Sequence, residues 1–169
     1  RTLLDLLVAG VAGYAVRPSI AVTAQPAAWH ERLPKVELHL HLEGAIPKAT
    51  LWELITKYGG DQAIKTREDL ERALVYRDFR GFLKMWVWMI GYLREYDDYT
   101  LLGEAVAREL ARQTIRYVAG CVSPPDSRLD PQRVTEALRK GVNRVPAIDV
   151  APIADLVRNS GVEPARHPL

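Results

Sequence analysis

What this chain lacks narrows its function first. It has one cysteine, Cys121, among 169 residues. That excludes an intrachain disulfide framework and any cysteine-rich zinc site, and it fits a reducing compartment. Charge excess is also missing. The 23 basic and 21 acidic side chains leave a net +2, so nothing electrostatic draws the chain to nucleic acid or to an anionic membrane. Long apolar runs are absent too. Residues 3–16 are apolar apart from Asp5, Gly10, Gly13 and Tyr14, and they fall short of the roughly 20 residues that span a bilayer. The stretch faintly resembles the core of an export signal, but Asp5 lies inside it and no clear cleavage site follows. The expectation is a short helix or upstream extension of a cytoplasmic protein, with export through residues 1–25 as the alternative. There is no glycine-rich phosphate loop, internal repeat or low-complexity run. What remains is a composition 48% hydrophobic, ordinary for one globular domain with a core to bury.

Against this background one stretch stands out. Residues 33–44 read LPKVELHLHLEG. Pro34 ends what precedes it. Val36, Leu38, Leu40 and Leu42 then alternate with Glu37, His39 and His41. Period two predicts a β-strand with His39 and His41 on one face. Their Cα atoms would lie about 7 Å apart, so their nitrogens can converge on one cation, and imidazole suits zinc. A His-x-His pair by itself is more often a surface accident.

The flanking residues weigh against accident. The run from Leu33 to Ala45 resembles the first barrel strand of the adenosine deaminase family, within the metal-dependent amidohydrolases. The resemblance implies that His39 and His41 are zinc ligands and that Zn2+ is the cofactor. It implies that Glu43 contacts the sugar hydroxyl or the base, with His41 and Gly44 beside the substrate. It also implies an α/β fold. A closed (β/α)8 barrel needs about 250 residues, rarely fewer than about 200. The expectation is therefore a partial TIM barrel, helix-rich, holding only the first strands and helices. Residues 1–32 would be an extension and linker, with His30 solvated; 33–165 the barrel portion; and 166–169 a tail.

Further along, residues 47–58 predict a short helix closed by Gly59 and Gly60. Thr66 to Asp69 is a capping-box pattern. Asp78 can cap a helix to about residue 95, with Phe79, Phe82, Leu83, Trp86, Ile90 and Leu93 on one face. Periodicity alone makes that face a core stripe. The resemblance adds that Phe82, Leu83 and Trp86 line the hydrophobic side of a nucleoside pocket. A long helix follows from Asp97 to about Gln113, its Glu104, Arg108, Glu109 and Arg112 forming a solvated face. Residues 115–122, IRYVAGCV, predict a second strand. In the family pattern Tyr-x-Glu-x-Arg-x-Ser-Pro, Ala119 here stands for the acid and Cys121 for the arginine. Losing both together leaves neither partner orphaned. Cys121 reads as a small buried residue. Asp130 and Pro131 begin another helix, with Gly141 expected to close it. Residues 142–151 look too short to lead into a third strand, a helix is expected over 152–161, and a deletion between these segments is plausible.

Hydrolytic deamination needs a metal, a base, an acid and a purine pocket. The resemblance assigns a third histidine and the proton-shuttling Glu to a His-Ala-Gly-Glu-like strand, and a metal-binding Asp to an Asp-Asp-Pro-like one. Neither phrase occurs in this sequence, and His167 is a poor substitute. The expectation is a zinc-dependent purine deaminase present as a fragment, with no catalytic residue in this chain and no useful turnover on its own. Its partner would be a purine nucleoside or base, not nucleic acid or membrane, and open barrel edges would favour self-association. The rival readings are a non-catalytic remnant that binds nucleoside, metal or partner, and a damaged gene product. A cytidine-deaminase-type site fails: His41-Leu42-Glu43 fits its start, but Pro-Cys-x-x-Cys needs two cysteines.

Overall fold

The computed structural model describes residues 29–123 and 129–155. The extension before Trp29, the prolines after Ser123, the later part of the helix expected over 152–161, the tail and His167 lie outside the described residues.

Three parallel strands form one sheet in the order β1-β2-β3: β1 is Lys35–His41, β2 is Ile115–Val122 and β3 is Asp149–Ala154. Five helices join them. Between β1 and β2 run α1 (Lys48–Lys57), α2 (Arg67–Ala73), α3 (Phe79–Ile90) and α4 (Tyr96–Arg112); α5 (Pro131–Val142) joins β2 to β3. Parallel neighbours joined through helices are βαβ units. Residue order, strand order and parallel pairing match the opening of a (β/α) barrel.

The local signals act where the sequence puts them. Thr66 accepts from the N–H of Asp69 while Asp69 accepts from the N–H of Thr66, closing the capping box. Asp78 caps α3 through the N–H of Gly81 at 2.7 Å, and Asp130 caps α5 through the N–H of Arg133 at 3.0 Å. The solvated face of α4 pairs Arg108 with Glu104 and Arg112 with Glu109. His30 is exposed in a short 3-10 turn.

The core lies between the sheet and α1, α4 and α5. Leu42, Val118 and Val122 from the sheet side meet Leu51 and Leu54 of α1, Leu102 and Val106 of α4, and Val134 and Leu138 of α5. Burial of the apolar side of β1 is confined to its end. Leu42 is 2% exposed, whereas Leu38 is 68% exposed.

Lys35 fixes where β1 begins. Its ammonium donates to the carbonyls of Glu31, Leu33 and Gln113 and to Thr114 Oγ1, the last at 2.6 Å. The Gln113 carbonyl belongs to the end of α4, where a cation is favoured. One side chain thus ties the start of β1 to the start of β2.

Three expectations are corrected. Residues 149–154 are a strand, not the run-up to a helix: β3 pairs with β2 in continuous register from Tyr117↔Asp149 to Val122↔Ala154. Among the described residues β3 is the edge of the sheet, where the donor missing at Pro152 is tolerated. Gly141 does not close α5 but lies inside it, buried against α4. Helix α3 ends at Ile90 rather than near residue 95, and the expected apolar face is only partly buried: Phe79 is 72% exposed and Leu83 is exposed, Phe82, Trp86 and Ile90 are half-buried, and the fully buried residue of α3 is Met89, off that face. Trp88 and Tyr92 draw that other face inward by donating to Asp61 at 3.0 and 2.7 Å.

Candidate metal and purine site

The candidate residues gather at the C-terminal ends of the strands. His39 and His41 leave β1 with ring centroids 5.3 Å apart, edge to face. The strand is irregular at His39 itself. Between Glu37 and Leu40, β1 takes three steps while β2 takes two, from Val118 to Gly120. The N–H of His39 is held by Glu37 Oε1 at 3.0 Å. Such bulges recur beside sites because they re-aim side chains.

Beyond the bulge the register is firm. His41 stands opposite Cys121, and the N–H of Leu42 donates to the Cys121 carbonyl at 3.0 Å. One nitrogen of His39, one of His41 and the Cys121 sulfur lie within 4.8 Å of one another. His39 is exposed, His41 half-buried and Cys121 buried. Burial pushes the Cys121 thiol up, helped by the nearby carboxylates of Asp155 and Glu43.

Glu43 follows in a 3-10 turn, Glu43–Ala45, and is 3% exposed. Its Oε1 accepts the N–H of Ser123 at 2.9 Å, while Oε2 is buried without a partner among the described residues. Burial pushes its carboxyl up to about 7, against the backbone N–H groups of Glu43 and Ser123 that favour the charge; the Asp155 charge adds to the rise. Asp155, just past β3, stands 3.8 Å from His41 Nδ1 and accepts from Ser123 Oγ at 3.2 Å. The position equivalent to the family's acid, Ala119, is 8% exposed and puts no unpaired charge beside these groups.

A β-carbon on Gly44 would meet His41 Cβ and Trp86 Nε1, each at 3.8 Å. Trp86 therefore borders the turn that carries Glu43. Phe82 is half-buried and packs against the rings of Tyr76 and Phe79, and Leu83 is 42% exposed. A separate cavity of about 190 Å³ lies between α5 and β3, lined by residues such as Leu138, Val142 and Val145; none of the residues named here as site candidates lines it.

The donor set fits a zinc ion. Two imidazoles converge, and a thiol stands within reach, all of them donors for a borderline-soft divalent cation. The sequence pattern pointed to the histidines and Glu43. It missed Asp155, which the expected helix absorbed. The Ser-Pro frame after β2 was its one hint that Ser123 belonged here.

The family model for adenosine deaminase matches residues 34–156. The chain belongs to the adenosine deaminase family. It is 31% identical over 94 residues to an aminodeoxyfutalosine deaminase of Acidothermus cellulolyticus, a match covering 56% of this chain and 26% of that protein. It is 33% identical over 137 residues to an adenine deaminase of Chelativorans sp., covering 78% of this chain and 41% of that one. The chain thus spans less than half the length of these relatives. A solved amidohydrolase of Burkholderia ambifaria with bound Zn superposes with a TM-score of 0.63 at 23% identity, over 75% of this chain and 36% of that one. That likeness is one of fold, and it sets the three strands of this adenosine deaminase family member within the TIM-barrel class.

Proposed function

We propose that this chain is the metal- and purine-binding opening portion of a zinc-dependent hydrolase that deaminates adenosine or a related 6-aminopurine. The observation that carries the reading is the convergence of His39 and His41, 5.3 Å apart, with the buried Glu43 two residues on. Relatives named for adenine and for aminodeoxyfutalosine support a 6-aminopurine without choosing its sugar or substituent.

A zinc ion held by His39 and His41 would supply the Lewis acidity that makes water nucleophilic near neutral pH. The chain's own groups would then bind and orient. Glu43 is anchored through Oε1 by Ser123, which leaves Oε2 for a hydroxyl or ring atom of the purine nucleoside. Trp86, beside Gly44, would cover the flat apolar face of the base, and Phe82 and Leu83 on the same helix would extend that apolar side. No His-Ala-Gly-Glu-like or Asp-Asp-Pro-like segment occurs in residues 1–169. These residues by themselves should therefore bind without turning over at a useful rate.

The test is binding by the full chain. Zinc should bind one per chain, and His39→Ala and His41→Ala should each weaken it at least tenfold. Adenosine should perturb the Trp86 indole N–H signal in the zinc-loaded protein, and Glu43→Gln should weaken that response. Absence of both stoichiometric zinc and any purine response would overturn the reading.

A further inference from the structure

We infer that Cys121 is a third protein ligand, completing with His39 and His41 a three-donor site for zinc or another borderline-soft divalent cation. The inference rests on the proposed metal-binding role of the two histidines.

The geometry is built by backbone pairing. Cys121 is locked opposite His41 by the β1–β2 register and by the Leu42–Cys121 hydrogen bond. The three donor atoms lie within 4.8 Å of one another. Tetrahedral zinc with Zn–N of about 2.0–2.1 Å and Zn–S of about 2.3 Å places its donors roughly 3.4–3.6 Å apart. Closing that gap takes a shift of about 1 Å per donor pair. The exposed His39 and half-buried His41 can supply it by small side-chain rotations while the buried thiol stays put.

The chemistry points the same way. A thiolate beside two imidazoles favours zinc, cobalt or cadmium over magnesium, manganese or calcium. Asp155 stands 3.8 Å from His41 Nδ1, the side from which a carboxylate can orient a metal-binding histidine. The family pattern has an arginine where Cys121 stands. Here the strand offers a donor in place of a fixed positive charge beside the ligands. Three protein ligands plus one open position is the usual complement of a catalytic zinc site, and this chain would reach it with its own first two strands.

Cobalt(II) is the probe. Titrated into the reduced full chain, it should bind one per chain and produce a near-ultraviolet thiolate-to-cobalt charge-transfer band. Cys121→Ser should lose that band and bind cobalt at least tenfold more weakly, with a thermal melt in chelator like that of the parent. If the serine variant does not fold, the parent decides. Its band, together with at least tenfold slower alkylation of Cys121 in saturating zinc, would support the inference. Stoichiometric binding with no charge-transfer band and unprotected Cys121 would overturn the cysteine ligand alone, leaving the histidine reading intact. No binding at all would overturn both.

Discussion

Gly141 of α5 faces the carbonyl oxygen of Thr100 on α4 with no room for a β-carbon between them; the N–H nitrogen of Glu104 would also lie only 2.8 Å from such an atom. Gly103 makes the reciprocal approach, its absent β-carbon 2.5 Å from the Leu138 carbonyl oxygen. The obstructing atoms are backbone, so they cannot rotate away. Helix propensity favours Ala over Gly by about 1 kcal/mol, but overpacking costs about 1–3 kcal/mol and more where backbone must move. Gly141→Ala should therefore destabilise by about 3 kcal/mol, read from the urea midpoint of the full chain. A stabilised variant would mean that α4 and α5 do not pack this closely.

Asp98 is 1% exposed yet accepts four hydrogen bonds: from Lys57 at 2.6 Å, from the Tyr58 hydroxyl, and from the N–H groups of Arg94 and Glu95 at 2.9 Å each. Burial alone would push its carboxyl up, but these donors together hold it below the ordinary range. Asp98→Ala orphans the tyrosine hydroxyl and two N–H groups at the start of α4, and should cost about 2–4 kcal/mol. Lys57→Met should cost under about 1 kcal/mol, because the Lys57 side chain is 40% exposed and stays hydrated. Chemical denaturation of both variants checks the contrast. Equal losses would make the ion pair, rather than the buried acceptor, the stabilising feature.

Acid should expose a second carboxylate, Asp61. Hydrogen bonds from Trp88, then from Tyr92, hold it down to about 2, against an ordinary value of 3.8. A depressed folded value means that the contribution is complete above about pH 4 and is lost as pH falls toward 2. The loss should be on the order of 1–2 kcal/mol. Asp98, Glu104 and Glu109 are lowered too and act in the same direction. The useful measurement is a difference: urea midpoints of the parent and of Asp61→Asn at pH 5, 3 and 2. The gap between them should narrow on acidification. A constant gap would show that Asp61 is not held low in the folded protein.

How much of this could be read from the sequence depends on whether the cause was local. The caps at Thr66, Asp78 and Asp130 and the strand at 115–122 depend on neighbours within a few residues, and all appear as expected. His39 and His41 share a face because period two is local as well. Tertiary causes left weaker marks. Apolar spacing on α3 sets Met89 off the expected face, but how deeply each face is buried depends on tertiary partners such as Asp61, about 30 residues away, which binds Trp88 and Tyr92. Gly141 carries a stop signal in isolation, whereas its place is set by close approach to Thr100. The bulge in β1 was invisible because the alternation runs unbroken through it. Thr114, with φ of +62°, is a β-branched residue in a region that favours glycine. It is held by contacts far away in sequence: its hydroxyl accepts from the Lys35 ammonium and lies in reach of the Glu31 and Leu33 carbonyls, and its own carbonyl accepts the N–H of Lys35.

Asp155 offers a test of the site that does not depend on the reaction. It lies 3.8 Å from His41 Nδ1 and is braced by Ser123 Oγ at 3.2 Å. A carboxylate in that position favours the tautomer protonated at Nδ1 and leaves Nε2 as the donor to a cation. Asp155→Asn keeps the size but removes the charge, so the imidazole becomes a poorer and less firmly oriented ligand. Removing such a partner typically weakens metal affinity by about 10–100-fold. The variant should bind zinc about tenfold more weakly in a chelator competition, with its unfolding midpoint within about 0.5 kcal/mol of the parent, since Asp155 is partly solvated. The nitrogen chemical shifts of His41 give an independent readout: the parent should show Nδ1 protonated, and the variant a mixture of tautomers. Unchanged zinc affinity together with an unchanged tautomer would remove Asp155 from the site and leave His41 oriented by β1 alone.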